Sequence, residues 1–339
     1  MVKPSPEFIT LAFALFRMGA IPILIDPGMG LSNLLKCIKK VEPDALIAIP
    51  IVHFIKTFRR KFFSSIKNSI TVGRKVFWEG TTLKAVREKG ISDFLPVETQ
   101  KEGPAAKLYT SGSTGIPKGV LYQHGMFIAQ VERIKSHYGI CETDVDMPAF
   151  PLFALFSAAI GMTCVIPDMD PTKPAKVNPK KIVSDIKKYG VTTSFGSPAI
   201  WNRVGEYCVK HNLRLPSIKR ILMAGAPVPE YVLKRFKNIL SDNADTFTPY
   251  GATEALPIAS ISGTERLKTE AKSRAGAGTC VGKPLVGITI KIIKITDDPI
   301  PEWKESLLLK RGEKGEIVVK GDSVTREYFR MKEQTALAK

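Results

Sequence analysis

The sequence predicts an α/β fold, with mixed, mostly parallel sheets flanked by helices and a small antiparallel β subdomain attached. Three observations carry that expectation. Short apolar runs alternate with helical patterns over residues 1–280, the order that builds largely parallel sheets. From about Val281 the pattern changes: Ile288, Ile290, Ile292 and Ile293 alternate loosely with Lys291 and Lys294, as in a sheet with one wet face. The 339 residues, 44% apolar and 24% charged, suffice for a sizeable core and for more than one packed subdomain.

Along the chain, Phe8, Leu11, Ala12, Leu15 and Phe16 recur at helical spacing, and residues 21–24 then read as a strand. Residues 33–40 suit a short helix and residues 45–51 a buried strand. Ile182, Ile186 and Tyr189 mark another helix, followed by a strand at 191–195. Residues 218–223 read as a strand running into Gly225, and residues 228–240 as a helix. Pro229 falls in its first turn, where an N–H has no partner to lose. Strands at 288–293 and 316–320 are separated by turn residues at 297–299 and 312–315. Residues 1–280 are thus expected to form the α/β body and 281–325 the small β subdomain. Residues 325–339 read as a polar segment without a closing core.

Composition excludes several function classes. Five widely spaced cysteines without a C-x-x-C pair speak against a disulfide framework or zinc site and fit a reducing cytoplasm. Four histidines, none at H-E-x-x-H spacing, leave little for imidazole-based metal chemistry. Fifty basic against 32 acidic residues give +18, a balance that suits a polyanion or an anionic membrane. The basic residues are spread along the chain, so a solvated surface is the simpler reading and no nucleic-acid partner is expected. The densest group, residues 56–67, mixes Arg59, Arg60 and Lys61 with Phe58, Phe62 and Phe63. Such a basic helix either lies peripherally on a membrane or packs its aromatics inward. Residues 147–167 hold no charge over a bilayer-spanning length, but Pro148, Pro151, Gly161 and Pro167 favour a buried segment lining an apolar pocket.

The strongest local signal is T-S-G-S-T-G-I-P-K-G at residues 110–119. Thr110, Ser111, Ser113 and Thr114 offer hydroxyl donors, and Gly112 and Gly115 let backbone N–H groups close on an anion. Lys118 adds a compact positive charge. A Walker A loop is excluded, because Pro117 stands where glycine must precede the lysine. A flexible linker would have no use for Pro-Lys-Gly next to an aromatic strand end.

This segment resembles the phosphate loop of the adenylate-forming superfamily, the AMP-binding enzymes that include acyl-CoA synthetases. Four further segments resemble that family's motifs in its order: A-G-A-P at 224–227, Y-G-A-T-E at 250–254, V-G-K-P-L-V-G at 281–287 and G-E-I-V-V-K-G at 315–321. The resemblance implies the large N-terminal domain of the adenylate-forming fold, with ATP and Mg²⁺ as cofactors. Thr110, Ser111, Gly112, Ser113, Thr114, Gly115 and Lys118 would then hold the β- and γ-phosphates. Gly225, Ala226 and Pro227 would border the adenine, Tyr250 would stack on it, and Gly251 would lie beside it. Thr253 would donate to the α-phosphate and Glu254 would ligate Mg²⁺, with Lys118, Thr253 and Glu254 as the catalytic set. The same resemblance implies a chain that begins part-way into the large domain and stops before the C-terminal lid domain. Nucleotide binding with weak turnover is the matching expectation.

Finer segments resemble one branch, the β-lactone synthetases of bacterial olefin biosynthesis: F-P-L-F-A-L-F at 150–156, I-P-D-M-D-P at 166–171, F-G-S-P at 195–198 and Y-G-A-T-E-A-L-P at 250–257. They imply adenylation of a long-chain fatty or β-hydroxy fatty acid, then lactone closure, with Phe150, Phe153 and Phe156 lining the acyl pocket. Ordinary acyl-CoA ligation, or acyl transfer to a carrier protein, is the alternative, with CoA or other olefin-pathway enzymes as partners. A non-enzymatic alternative is a basic protein that binds nucleic acid or membrane on an inactive adenylation fold. It predicts salt-sensitive polyanion binding and no ATP affinity.

Overall fold

The computed structural model describes residues 1–90, 93–110 and 117–338. The chain divides into two compact units, Met1–His124 with Thr325–Lys339, and Gly125–Val324.

The first unit holds two small sheets. Strands β2 (Ala45–Ala48), β3 (Asn68–Thr71) and β4 (Thr81–Thr82) run parallel. In the other sheet, β1 (Ile23–Ile25) lies parallel to β5 (Pro104–Thr110), which pairs antiparallel with β6 (Lys118–Gln123). Helices α1 (Pro6–Arg17) and α4 (Leu83–Lys89) start on Ser5 and Thr82, whose hydroxyls accept from the Phe8 and Ala85 N–H groups. Helix α2 (Leu31–Val41) buries Leu34, Leu35, Ile38 and Val41 along one stripe and leaves Lys39 and Lys40 in solvent. Each such side chain contributes about 1.5–3 kcal/mol.

Three sequence expectations are corrected here. The strand read at 45–51 stops at Ala48, because Pro50, with its fixed φ and no N–H, opens helix α3 (Pro50–Phe58) instead. The basic stretch 56–67 is not one helix: α3 ends at Phe58 and a short turn, Arg60–Phe62, follows. Its aromatics divide accordingly, with Phe63 buried, Phe62 half-buried and Phe58 exposed. Residues 325–339 are not merely polar. Tyr328 and Met331 are buried, Tyr328 bridges Val120, and the Phe329 N–H donates to Gly119 O at 2.7 Å, so the segment runs along β6.

The second unit is built on five parallel strands: β7 (Val145–Asp146), β8 (Thr163–Cys164), β9 (Thr193–Gly196), β10 (Arg220–Met223) and β11 (Asp245–Phe247), in the spatial order β11-β10-β9-β7-β8. Its helices include α5 (His124–Tyr138), α6 (Ala154–Ile160), α7 (Pro179–Tyr189), α8 (Pro198–Lys210) and α9 (Glu230–Ile239). Helix α7 is well signposted: Asn178 caps its start by accepting from the Lys180 N–H, Pro179 takes the first position, and Gly190 ends it. Ile182, Val183 and Ile186 of α7 join Trp201 of α8, Phe236 of α9 and Ile221 and Met223 of β10 in the main core. The uncharged residues 147–167 break into a turn at Pro151–Phe153, the seven-residue α6 and β8. Among the described residues no helix is long and apolar enough to cross a membrane.

Two antiparallel sheets complete this unit. Strands β12 (Tyr250–Ala252), β13 (Ala255–Ser260) and β14 (Lys283–Pro284) form one, and β15 (Thr289–Ile293) with β16 (Glu316–Lys320) forms the other. Buried Arg133 of α5 pairs with Asp322, just past β16, and donates Nε to Val286 O at 2.8 Å.

Asp144, 1% accessible, ties the amino ends of three central strands. Its carboxylate accepts from Arg220 Nη1 at 2.8 Å, Thr192 Oγ1 at 2.8 Å and the Cys141 N–H at 3.1 Å, with Lys219 Nζ at 3.2 Å. Burial opposes the charge, but the hydrogen bonds from Thr192, Arg220 and Cys141 outweigh it and hold the carboxyl at about 2, below its ordinary 3.8. The ion pairing is therefore complete above pH 3.8 and is lost as pH falls towards 2. Replacing Asp144 by Ala leaves Arg220 without its buried partner and is expected to cost about 3–5 kcal/mol at neutral pH. Chemical denaturation of the variant beside the parent measures this.

Candidate functional site

On the first unit the candidate residues cluster at one end of the β5–β6 hairpin. Thr110 and Lys118 are the last register pair, and Tyr109 faces Gly119. The half-buried Lys118 places Nζ 5.2 Å from the Tyr328 ring centroid. Gly119 is dictated by packing: a Cβ there would lie 2.5 Å from the buried Tyr109 ring. Burial, with the Cys37 thiol nearby, pushes the Tyr109 phenol up to about 12, so it remains a neutral packing surface. Ser111, Gly112, Ser113, Thr114, Gly115 and the Thr110 side chain lie outside the described residues.

On the second unit the remaining candidates gather where the parallel strands end. This follows from the topology, since parallel strands joined by crossover helices send all their carboxyl ends to one edge, where ligands of open α/β sheets bind. Strand β10 leads through Ala224 to Gly225, Ala226 and Pro227, all three exposed. Gly225 adopts φ +90°, which a side chain would strain, and nothing lies within 4 Å of where its Cβ would be. The neighbouring strand β11 runs through Thr248 and Pro249 to Tyr250. In Y-G-A-T-E, Tyr250, Gly251 and Ala252 form β12, and Thr253 and Glu254 are the two-residue turn into β13. Tyr250, Thr253 and Glu254 are half-buried, and Tyr250 packs on the Ala255, Ile258 and Leu285 cluster.

The three phenylalanines proposed for an acyl pocket form a ladder. Ring centroids lie 5.8 Å apart for Phe150–Phe153 and 5.4 Å for Phe153–Phe156. Phe150 is exposed, whereas Phe156 packs on the cluster containing Ile134, Ile160 and Leu222. Phe195, at the carboxyl end of β9, stacks on Phe153 at 3.6 Å and 4°. The sequence motif F-G-S-P contained Phe195 without marking it as a site residue; an aromatic at the last turn of a parallel strand was the available signal. Beside it, Ser197 Oγ and Trp201 Nε1 are buried polar atoms without a hydrogen-bond partner among the described residues.

Asp146, at the end of β7, accepts a hydrogen bond from Ser157 of α6, but its burial pushes it up to about 7. An open groove of about 310 Å³ next to Pro227 includes Glu230, Arg266 and Arg274. Arg274 there is engaged by Glu230 and Glu270. No group of three or more His, Cys, Asp or Glu side chains placed to hold a metal ion occurs among the described residues.

A two-unit α/β architecture with a Lys-bearing hairpin and a Y-G-A-T-E turn defines a class, and comparison with known proteins agrees. The family model described as AMP-binding enzyme matches residues 1–329, so the chain belongs to the AMP-binding enzyme family. It is 44% identical over 340 residues to an olefin β-lactone synthetase of Stenotrophomonas maltophilia, a match covering all of this chain and 61% of that protein. Among solved structures it resembles a long-chain-fatty-acid–CoA ligase of Archaeoglobus fulgidus with a TM-score of 0.79 at 21% identity, covering 98% of this chain and 64% of that one. It likewise resembles the O-succinylbenzoate CoA synthetase of Bacillus subtilis in complex with ATP and magnesium ion, with a TM-score of 0.72 at 23% identity, covering 98% and 62%. At these identities the structures show the fold. The expected family and fold class therefore hold.

Two measurements test this geometry. Gly119→Ala is expected to cost about 1–3 kcal/mol by overpacking, with recovery when Tyr109→Leu is added; paired denaturation curves report it. Asp146 holds its proton more tightly folded than unfolded between pH 3.8 and about 7, so it subtracts stability as pH rises through that window. Asp146→Asn is expected to raise the melting temperature at pH 8 and to flatten the dependence below.

Proposed function

We propose that the protein activates a long-chain fatty or β-hydroxy fatty acid with ATP, forming an acyl-adenylate and releasing pyrophosphate, and then closes a β-lactone. The observation carrying this reading is the adjacency of two surfaces on neighbouring strands. The aromatic ladder ends on Phe195 of β9, and the open Gly225–Pro227 edge follows β10. An apolar wall beside a flat polar edge suits an acyl chain and a base.

The residues present fit ATP and Mg²⁺. Glu254 is a half-buried carboxylate outside any larger ligand cluster among the described residues, and Mg²⁺ favours one or two carboxylates together with phosphate oxygens and water. Bound there, Mg²⁺ would neutralise phosphate charge. On the second unit, Tyr250 would stack on adenine, Gly225, Ala226 and Pro227 would border it with Gly251 nearby, and Thr253 would donate to the α-phosphate. On the first unit, Lys118 would supply positive charge, and Thr110, Ser111, Gly112, Ser113, Thr114 and Gly115 would supply donors to the β- and γ-phosphates. Two anions must meet when a carboxylate oxygen attacks the α-phosphorus and pyrophosphate leaves, so fixed donors and charge lower that barrier. In the second step the β-hydroxyl oxygen attacks the acyl carbonyl, losing its proton, and AMP leaves. Phe150, Phe153 and Phe156 hold the chain. The thiols are all free, in keeping with a cytoplasmic enzyme.

The test uses the protein with a long-chain β-hydroxy acid, ATP and Mg²⁺, with and without CoA. AMP, pyrophosphate and β-lactone without CoA are expected; a thioester that requires CoA would overturn the lactone step, and no pyrophosphate release at all would overturn the activation. Lys118→Ala is expected to lower kcat/KM about 10²–10³-fold. Phe153→Ala is expected to raise KM for long acids more than for short ones.

A further inference from the structure

One face of the first unit combines exposed apolar side chains with an excess of positive charge. Ile51, Phe54 and Phe58 fall at i, i+3 and i+7 on α3, which places them on one stripe. They are 56%, 44% and 68% exposed, whereas Val52 and His53 turn inward. The Phe54 ring lies 4.8 Å from Phe58 and 6.2 Å from Phe77, which is itself 61% exposed. Phe77 in turn meets Trp78 edge-on at 5.5 Å. Trp78 is fixed from beneath, stacked on His53 at 5.7 Å and donating Nε1 to Thr71 Oγ1 at 2.9 Å. The patch is therefore a held surface rather than scattered single residues.

Its charge is equally one-sided. Residues 44–79 contain seven Lys or Arg against two acids, Asp44, which pairs with Lys67, and Glu79. Arg59, Arg60 and Lys61, all exposed, follow directly from the end of α3. A second copy of the chain is a poor occupant, because a twofold contact would bring these like charges together. A bilayer with anionic headgroups answers both properties at once: aromatic rings settle at the headgroup–acyl boundary, and basic side chains meet the phosphates. We propose that this face docks the protein on an anionic phospholipid membrane, with Phe54, Phe58 and Phe77 inserted and Arg59, Arg60 and Lys61 on the headgroups.

Co-sedimentation with phosphatidylcholine vesicles, with and without phosphatidylglycerol, tests the proposal. Binding is expected only to the anionic vesicles and should weaken with salt. Replacing Arg59, Arg60 and Lys61 by Gln should weaken it roughly a hundredfold. The pair Phe58→Ser and Phe77→Ser should weaken it at least about tenfold, with the melting temperature unchanged because both side chains are exposed. Replacing Lys180, Lys187 and Lys188 of α7 by Gln removes the same charge elsewhere and should leave binding intact. The proposal is overturned by no binding to anionic vesicles, by equal losses in the two charge variants, or by full binding in the phenylalanine pair. It is also overturned if that pair abolishes a dimer while the parent ignores vesicles.

Discussion

Asp144 holds donors from Cys141, Thr192 and Arg220, with Lys219 alongside, in a site almost closed to water. A lone buried carboxylate would cost several kcal/mol, so the cluster is stable only with all of its partners in place. Those partners sit at the amino ends of β7, β9 and β10, which fixes the strands against one another at that edge. The opposite ends then emerge together, carrying residues 147–150, 195–198 and 224–227 to a common edge. This buried carboxylate thus acts through strand alignment, remote from the candidate residues.

Elements whose signals are local were legible in the sequence. Helix α7 follows from Asn178, Pro179, Gly190 and one apolar stripe, and the phosphate-loop and Y-G-A-T-E segments were recognisable as written. What escaped depends on distant partners. The β12–β13 hairpin was hidden because Pro257 interrupts its second strand, a residue that normally argues against a paired strand. The seating of Tyr328 and Met331 along β6 joins segments far apart in sequence, and no periodicity announces it. Strand 45–51 was drawn too long because Ile49 and Ile51 continued an apolar run past the proline that ends it. In the candidate site, Phe195 was missed because its meaning lies in Phe153, on a different element.

The aromatic ladder shows how one apolar run serves two ends. Phe156 belongs to the core around Ile134 and Leu222, Phe150 faces solvent, and Phe153 stands between them, clamped by Phe195. The ladder passes from the Pro151–Phe153 turn into α6, which carries Phe156. Asp146 and Ser157 anchor the base of that helix with a buried hydrogen bond.

The turn at Thr253 and Glu254 has a thermodynamic consequence. Both residues are held between paired strands, Ala252 opposite Ala255, so their backbone freedom is already surrendered on folding. A ligand that meets these two side chains orders little beyond their rotamers, where a long loop would lose entropy at every residue. Affinity at that point is set by the chemistry of a hydroxyl and a carboxylate, with the hairpin having done the ordering beforehand.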